Sequence, residues 1–287
     1  MEPCDGRSRG AAEVSVLWPA RRDESRRGSA DFAARRAARE ESRGREIRVG
    51  DEVVYVTETG TGAPVVLLPS MLVGAATYRP AVDALARRAR VFVLELPGSR
   101  RGSRLRAPWL LERYARCVDD TLRALRLDRV TLIGHSLSGA VALVTGALYP
   151  ERLSGLVLAD SVGVNPPRSV LSLVCARAID MLLEPRFSVR TAPAFLYNML
   201  VHTRSVLSLV RIAATVDLSG YAVRVRVPTL LAWGARDLTV PLRDALALQR
   251  LIPGSTLVVS AKGSHDWIVG RPEEFADVVA RFMARGG

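Results

Sequence analysis

The sequence predicts an α/β protein with a mostly parallel central sheet, helices on both faces and one helical insertion. Three observations carry this expectation. From Glu46 onward, short β-branched apolar runs alternate with amphipathic helical patterns. The alternation stops between Val164 and Arg226, then resumes. The run Val130-Thr131-Leu132-Ile133 ends in the small-residue turn Gly134-His135-Ser136-Leu137-Ser138-Gly139, after which an Ala-rich helical pattern begins at once.

Val53 to Thr57 reads as an antiparallel strand, with Thr59-Gly60-Thr61-Gly62 turning into the buried strand Val65 to Leu68. A helix over Ala81 to Arg90, a strand over Val91 to Leu96 and a helix over Leu110 to Leu125 follow. The strand Val130 to Ile133 leads into a helix through Leu148, and Gly155 to Ala159 forms the next strand. Continuous apolar runs of this kind suit strands covered on both sides. Residues 163–226 show helical periodicity with prolines at 166, 167, 185 and 193. Structureless linkers of that length are uncommon inside a compact domain, so this stretch reads as a helical cap. The charged residues Arg177 and Asp180 break the apolar run Val170 to Leu183 at helical spacing, as in an amphipathic helix. The strand Thr229 to Trp233, a helix over Arg243 to Leu251, the strand Thr256 to Ser260 and a helix over Glu273 to Met283 complete the chain. The expected organisation is a disordered or loosely helical Arg-rich tail over 1–45, a first core segment over 46–162, the cap over 163–226 and a second core segment over 227–287.

Composition narrows the function classes. With 287 residues, 48% of them hydrophobic, the chain can bury a large core. No run of about 18 uninterrupted apolar residues is present, so stable membrane insertion is not expected. The three cysteines are widely spaced and imply neither a disulfide framework nor a zinc site, which makes a reducing, cytoplasmic setting the default. The formal charge of +12 comes almost wholly from arginine, Lys262 being the single lysine. No basic cluster is interleaved with aromatics, so nucleic acid is not an expected partner.

A serine at a tight strand-to-helix turn is held in a strained backbone conformation that projects Oγ above the sheet, beside the free amides of the helix start. Gly134 and Ser138 stand two positions either side of Ser136, where large side chains would collide. Ser138 occupies a position that is usually glycine, with Gly139 one place later. A serine nucleophile needs a base. His135 adjoins Ser136 on the turn, and His202 lies in a helical Leu- and Arg-rich region. His265, in the loop after the strand Thr256 to Ser260, is the remaining histidine and the well-placed one. Asp237 follows the strand Thr229 to Trp233 and is the favoured acid; Asp160, ending the strand before the cap, is the alternative.

Together the segments resemble the α/β-hydrolase superfamily over roughly residues 46 to 287. The phrases that carry the resemblance are Val65-Val66-Leu67-Leu68-Pro69-Ser70-Met71, Glu95-Leu96-Pro97-Gly98-Ser99, the Ser136 turn, Gly234-Ala235-Arg236-Asp237 and Gly263-Ser264-His265, in the family's order. The resemblance implies the α/β-hydrolase fold and a Ser136, Asp237, His265 triad. It also implies an oxyanion hole formed by the backbone N–H groups of Leu137 and Met71, with Pro69-Ser70 standing where relatives carry His-Gly. Met71, Leu72, Phe195, Tyr197 and Met199 could line an acyl pocket. The expected activity is cofactor-independent and metal-free hydrolysis of a small to medium, largely apolar ester, lactone or thioester. Alternatives on the same scaffold are C–C bond hydrolysis, acyl transfer, perhydrolysis, or small-ligand binding without turnover. Oligomeric state is left open by the sequence.

Overall fold

The computed structural model describes residues 14–17, 44–71, 73–99, 101–103, 105, 109–164, 169–183 and 203–286. The strands are β1 Val14–Leu17, β2 Gly44–Val49, β3 Glu52–Thr59, β4 Pro64–Leu68, β5 Arg90–Glu95, β6 Val130–His135, β7 Leu153–Ala159, β8 Thr229–Gly234 and β9 Thr256–Ser260. They form one sheet in the order β1-β9-β8-β7-β6-β4-β5-β3-β2. Only β2 and β3 run antiparallel to their neighbours. The parallel strands β4, β6, β7 and β8 are almost entirely buried, which accounts for their unbroken apolar sequences.

The helices are α1 Arg79–Ala86, α2 Leu111–Ala124, α3 Leu137–Leu148, α4 Val170–Leu183, α5 Thr203–Thr215, α6 Ser219–Ala222, α7 Leu242–Leu251, α8 Trp267–Gly270 and α9 Pro272–Arg285. Side-chain alternation along the strands splits the core into two layers. On one face Leu132, Leu156 and Leu231 pack with Val118, Leu122, Val141 and Leu248 of α2, α3 and α7. On the other, Ile133, Val157 and Leu230 pack with Leu85, Trp267 and Phe275 of α1, α8 and α9. The amphipathic faces read from the sequence are the ones buried.

Four elements depart from the expectation. Val14–Leu17, within the tail read as disordered or loosely helical, pair in parallel with β9 and extend the sheet at its edge. An isolated short apolar run carries no signal of the strand edge it will meet. Gly44–Val49 forms an antiparallel edge strand against β3, beginning inside the same tail; its exposed charged residues Arg45, Glu46 and Arg48 break the alternation that would mark a strand in the sequence. Helix α1 stops at Ala86 rather than Arg90, because Arg90 already hydrogen-bonds to Ala63 and starts β5. The single turn α8 is too short to leave a periodic signature.

Strand β4 sits between β5 and β6, so the chain runs outward to β5 and then crosses back to β6. That reversal puts the topological switch point at the carboxyl ends of β4 and β6, the position where α/β sheets place their sites. Leu68 of β4 is in register with Gly134 of β6, so the loop Pro69–Met71 lies alongside the Ser136 turn. Between β7 and β8 the described residues hold α4, α5 and α6 and a single isolated bridge, Val164 to Asp217. Among the described residues no helix is long and apolar enough to cross a membrane.

Candidate active site

Ser136 follows the last residue of β6 and precedes the first of α3, with φ 56° and ψ −125°. A non-glycine residue in this region is strained and persists only where its surroundings hold it. Here three hydrogen bonds do so. Ser136 N–H donates to Ala159 O (3.0 Å), and Ser136 O accepts from Gly139 N–H (3.0 Å) and Val162 N–H (3.1 Å).

The flanking small residues are required by contact. A Cβ on Gly134 would lie 2.4 Å from Ser138 O, and one on Gly139 would lie 2.3 Å from Ser161 Oγ. Glycine is therefore needed at 139, while 138 accommodates a serine that is completely buried. Ser138 Oγ donates to Pro69 O at 2.7 Å, tying the turn to the loop after β4. The departure from the usual pattern at 138 is thus a stitch between the two segments that carry the predicted oxyanion donors, Leu137 and Met71. Neither amide has a hydrogen-bond partner among the described residues. Leu137 heads α3, where the first amides of a helix have no acceptor of their own.

The three residues singled out in the sequence meet. His265 Nε2 lies 3.0 Å from Ser136 Oγ, and His265 Nδ1 lies 2.8 Å from Asp237 Oδ2. They come from the ends of β6, β8 and β9; β8 and β9 are neighbours in the sheet, and β7 separates them from β6. Gly234 allows the approach of the histidine loop, since a Cβ there would lie 2.4 Å from Ser264 O. Asp237 Oδ1 accepts from Val240 N–H at 2.7 Å, which fixes the carboxylate so that Oδ2 faces the imidazole.

Asp160, the alternative acid, is buried in the same cluster but bonds differently. Its Oδ1 accepts from Gly234 N–H at 2.8 Å, and no bond joins it to His265. Burial, with the Asp237 carboxylate beside it, raises its pKa well above the carboxylate range. The shift favours the protonated form of Asp160 beside the Asp237 carboxylate. Burial also raises Asp237, against the opposing pull of His265. For His265 burial acts downward, but the Asp237 carboxylate and its hydrogen bond outweigh it and the pKa is raised.

His135, adjacent to Ser136, bonds to Tyr78 and to the His265 backbone. His135 Nε2 lies 2.8 Å from His265 O, a carbonyl that can only accept, so Nε2 carries the proton. Nδ1 then accepts from Tyr78 Oη–H at 2.5 Å, and Tyr78 Oη accepts from Ser70 N–H at 3.0 Å. This chain links the Pro69–Met71 loop to the backbone of His265 through two buried rings. Burial and the neighbouring His265 lower the His135 pKa to about 3, so the ring is neutral as the bonds require. Sequence reasoning dismissed His135 and missed Tyr78, because nothing local marks a residue whose partners lie 57 and 130 positions away.

Two further contacts reach the loops of His265 and Asp237 from α4. Arg177 Nη1 donates to Asp266 Oδ2 at 2.5 Å. Asp180 accepts from Leu238 and Thr239. His135, His265 and Asp266 bring possible metal-ligating atoms within 4.8 Å of one another. Those of the two imidazoles are engaged with Tyr78, the His265 carbonyl, Asp237 and Ser136, while Asp266 pairs with Arg177, which suits hydrogen bonding rather than ion coordination. His202, Leu72, Phe195, Tyr197 and Met199 lie outside the residues whose side chains are described.

Comparison with known proteins agrees with this architecture. The sequence model of the alpha/beta hydrolase fold family matches residues 63–210. The pimeloyl-[acyl-carrier protein] methyl ester esterase of Aeromonas hydrophila is 26% identical over 260 residues, covering 80% of this chain and 99% of the esterase. The 2-hydroxy-6-oxo-6-(2'-aminophenyl)hexa-2,4-dienoic acid hydrolase of Metapseudomonas resinovorans is 26% identical over 258 residues, covering 82% of this chain and 89% of that enzyme. The crystal structure of the enol-lactonase from Burkholderia xenovorans LB400 superposes with a TM-score of 0.70 at 22% identity, covering 84% of this chain and 100% of the lactonase. The chain belongs to the alpha/beta hydrolase fold family and is a hydrolase of that fold.

Proposed function

We propose that the protein is a cofactor-independent serine hydrolase that cleaves a small to medium, largely apolar ester, lactone or thioester through an acyl-enzyme on Ser136. The observation that carries this reading is the continuous path from Ser136 Oγ through His265 to Asp237, with links of 3.0 and 2.8 Å. Both links fall within the reach a nucleophile and its base need.

Asp237 accepts the Nδ1 proton of His265, leaving the Nε2 lone pair to face Ser136 Oγ. As Oγ bonds to the substrate carbonyl carbon, its proton passes to Nε2 and the carbonyl oxygen gains negative charge. The amides of Leu137 and Met71 stabilise that charge, each contributing about 10² to 10³ in rate. The intermediate collapses by breaking the bond to the leaving group, which takes the proton from Nε2. Water then repeats the sequence on the acyl-enzyme, its proton going to Nε2 and back to Ser136 Oγ as the acid departs.

A substrate without formal charge fits the electrostatics, because Arg177, a cationic side chain near the triad, is matched by Asp266. The family relationship and the esterase and lactonase named among the similar proteins support carbonyl chemistry with an oxygen leaving group. The test is labelling by a fluorophosphonate probe, with the modified peptide located by mass spectrometry, followed by p-nitrophenyl esters of increasing acyl length. Labelling confined to Ser136 and lost in Ser136→Ala is expected. Folded protein that is neither labelled nor active on any ester would overturn the proposal.

A further inference from the structure

Helix α4 carries two charged residues, Arg177 and Asp180, three positions apart and therefore on one side of the helix. Each reaches a different loop of the triad. Arg177 Nη1 donates to Asp266 Oδ2 at 2.5 Å, immediately after His265 in sequence. Asp180 Oδ2 accepts from Leu238 N–H at 3.2 Å, from Thr239 N–H at 2.8 Å and from Thr239 Oγ1 at 2.5 Å, immediately after Asp237. The next amide, Val240 N–H, goes to Asp237 Oδ1. Three successive amides after Asp237 are thus divided between two carboxylates, one from α4 and one from the turn itself.

Both carboxylates that take part are almost wholly buried, Asp180 at 2% exposure and Asp266 at 4%, whereas Leu171 and Leu182 elsewhere on the same helix are 71% and 79% exposed. Burying charge costs desolvation energy, and an apolar pair of similar size often holds an interface at least as well. What apolar contact lacks is direction. Donors aimed at a carboxylate fix the path of the turn that presents Asp237, and a guanidinium on Asp266 fixes the residue beside His265.

We propose that Arg177 and Asp180 are positioning residues through which α4 holds the His265 and Asp237 loops in register, so that docking of α4 and alignment of the triad are one event. This rests on the reading of Ser136, His265 and Asp237 as the catalytic residues. Neither Arg177 nor Asp180 touches the reacting atoms; their effect passes through the Asp237–His265 hydrogen bond. Displacing that bond by a fraction of an ångström affects the chemical step more than substrate binding.

The experiment compares full-length wild type with Asp180→Asn, Arg177→Met, Arg177→Lys and Thr239→Val. For each, kcat and KM on a p-nitrophenyl ester are measured beside the low-field proton resonance of His265 Nδ1–H, with circular dichroism verifying the fold. Asp180→Asn and Arg177→Met are expected to lower kcat about 10-fold or more with KM little changed, and to shift or broaden the resonance. Arg177→Lys should recover part of the loss, and Thr239→Val should act in the same direction more weakly. If Asp180→Asn fails to fold, Arg177→Met and Thr239→Val carry the comparison. Folded variants with wild-type kcat and an unmoved resonance, or with a change in KM alone, would overturn the proposal. The two readings fail separately. A wild type with no labelling at Ser136 whose resonance still moves in the variants sinks the catalytic reading and keeps the positioning role of Arg177 and Asp180. An active, labelled enzyme whose resonance is indifferent to both substitutions sinks the positioning role alone.

Discussion

Acid should destabilise this protein through His135, by an amount that can be worked out in advance. The ring is 1% exposed, donates from Nε2 to His265 O and accepts at Nδ1 from Tyr78. A second ring proton would displace the Tyr78 donor. Burial, His265 and Arg177 hold the pKa down, against the smaller opposing effects of Asp266 and the bond to the His265 carbonyl, at about 3 rather than 6.5. The unfolded chain takes up a proton near pH 6.5 and the folded chain does not until about pH 3, so the unfolded state binds more protons throughout that window. Stability attributable to this site is complete above pH 6.5, falls as pH drops below it, and levels off under pH 3. Between pH 7 and pH 5 the loss is about 2 kcal/mol, a sizeable fraction of an ordinary folding free energy of about 5–15 kcal/mol. His135→Gln provides the control, because a glutamine amide can keep the donation to His265 O without titrating. That variant should be less stable at pH 7 by about 1–3 kcal/mol, since the Tyr78 hydroxyl loses its acceptor. Urea unfolding at pH 7 and pH 5, monitored by tryptophan fluorescence, gives both differences. The wild type should lose about 2 kcal/mol more than the variant over that interval. Equal losses in the two proteins would refute the neutral, doubly bonded His135.

Three other outcomes follow from the site. Replacing Asp237 by Asn should leave the fold intact and lower kcat by about 10⁴, because the imidazole is then held in the wrong tautomer; steady-state ester hydrolysis measures it. The rate should rise with pH as His265 loses its proton, and because its pKa is raised the midpoint should lie above 6.5; a kcat/KM profile with a midpoint below that value contradicts the Asp237 bond. Ser138→Ala removes the donor to Pro69 O and leaves that carbonyl unpartnered, so it should cost about 1–3 kcal/mol in urea unfolding. It should also reduce kcat, since the loop bearing Met71 loses its tether to the Ser136 turn.

The parallel sheet, the order of its strands along the chain and the residues at three strand ends were legible because each is a local signal. Buried parallel strands are short apolar runs, and the glycine-flanked Ser136 marks a strained turn wherever it occurs. His265 could be singled out because histidine is scarce, and the loop after β9 is where the sheet keeps its reactive groups. The choice of Asp237 over Asp160 was a preference in the sequence and a matter of geometry in the structure. Both carboxylates end neighbouring strands, yet one Asp160 oxygen is taken by Gly234 N–H while Asp237 reaches the imidazole.

The sequence by itself determined the class of fold and the alternation of elements and singled out Ser136 and His265 as candidates with two possible acids, since these depend on patterns spanning a few residues. Only the tertiary structure decided that Ser138 bonds to Pro69, that Tyr78 bonds to His135, that Arg177 and Asp180 bond to the loops carrying His265 and Asp237, and that Val14–Leu17 joins the sheet edge. Each of these is a directional bond between groups far apart along the chain. Hydrogen-bond direction depends on where two backbones lie in space, and residue spacing carries no record of it.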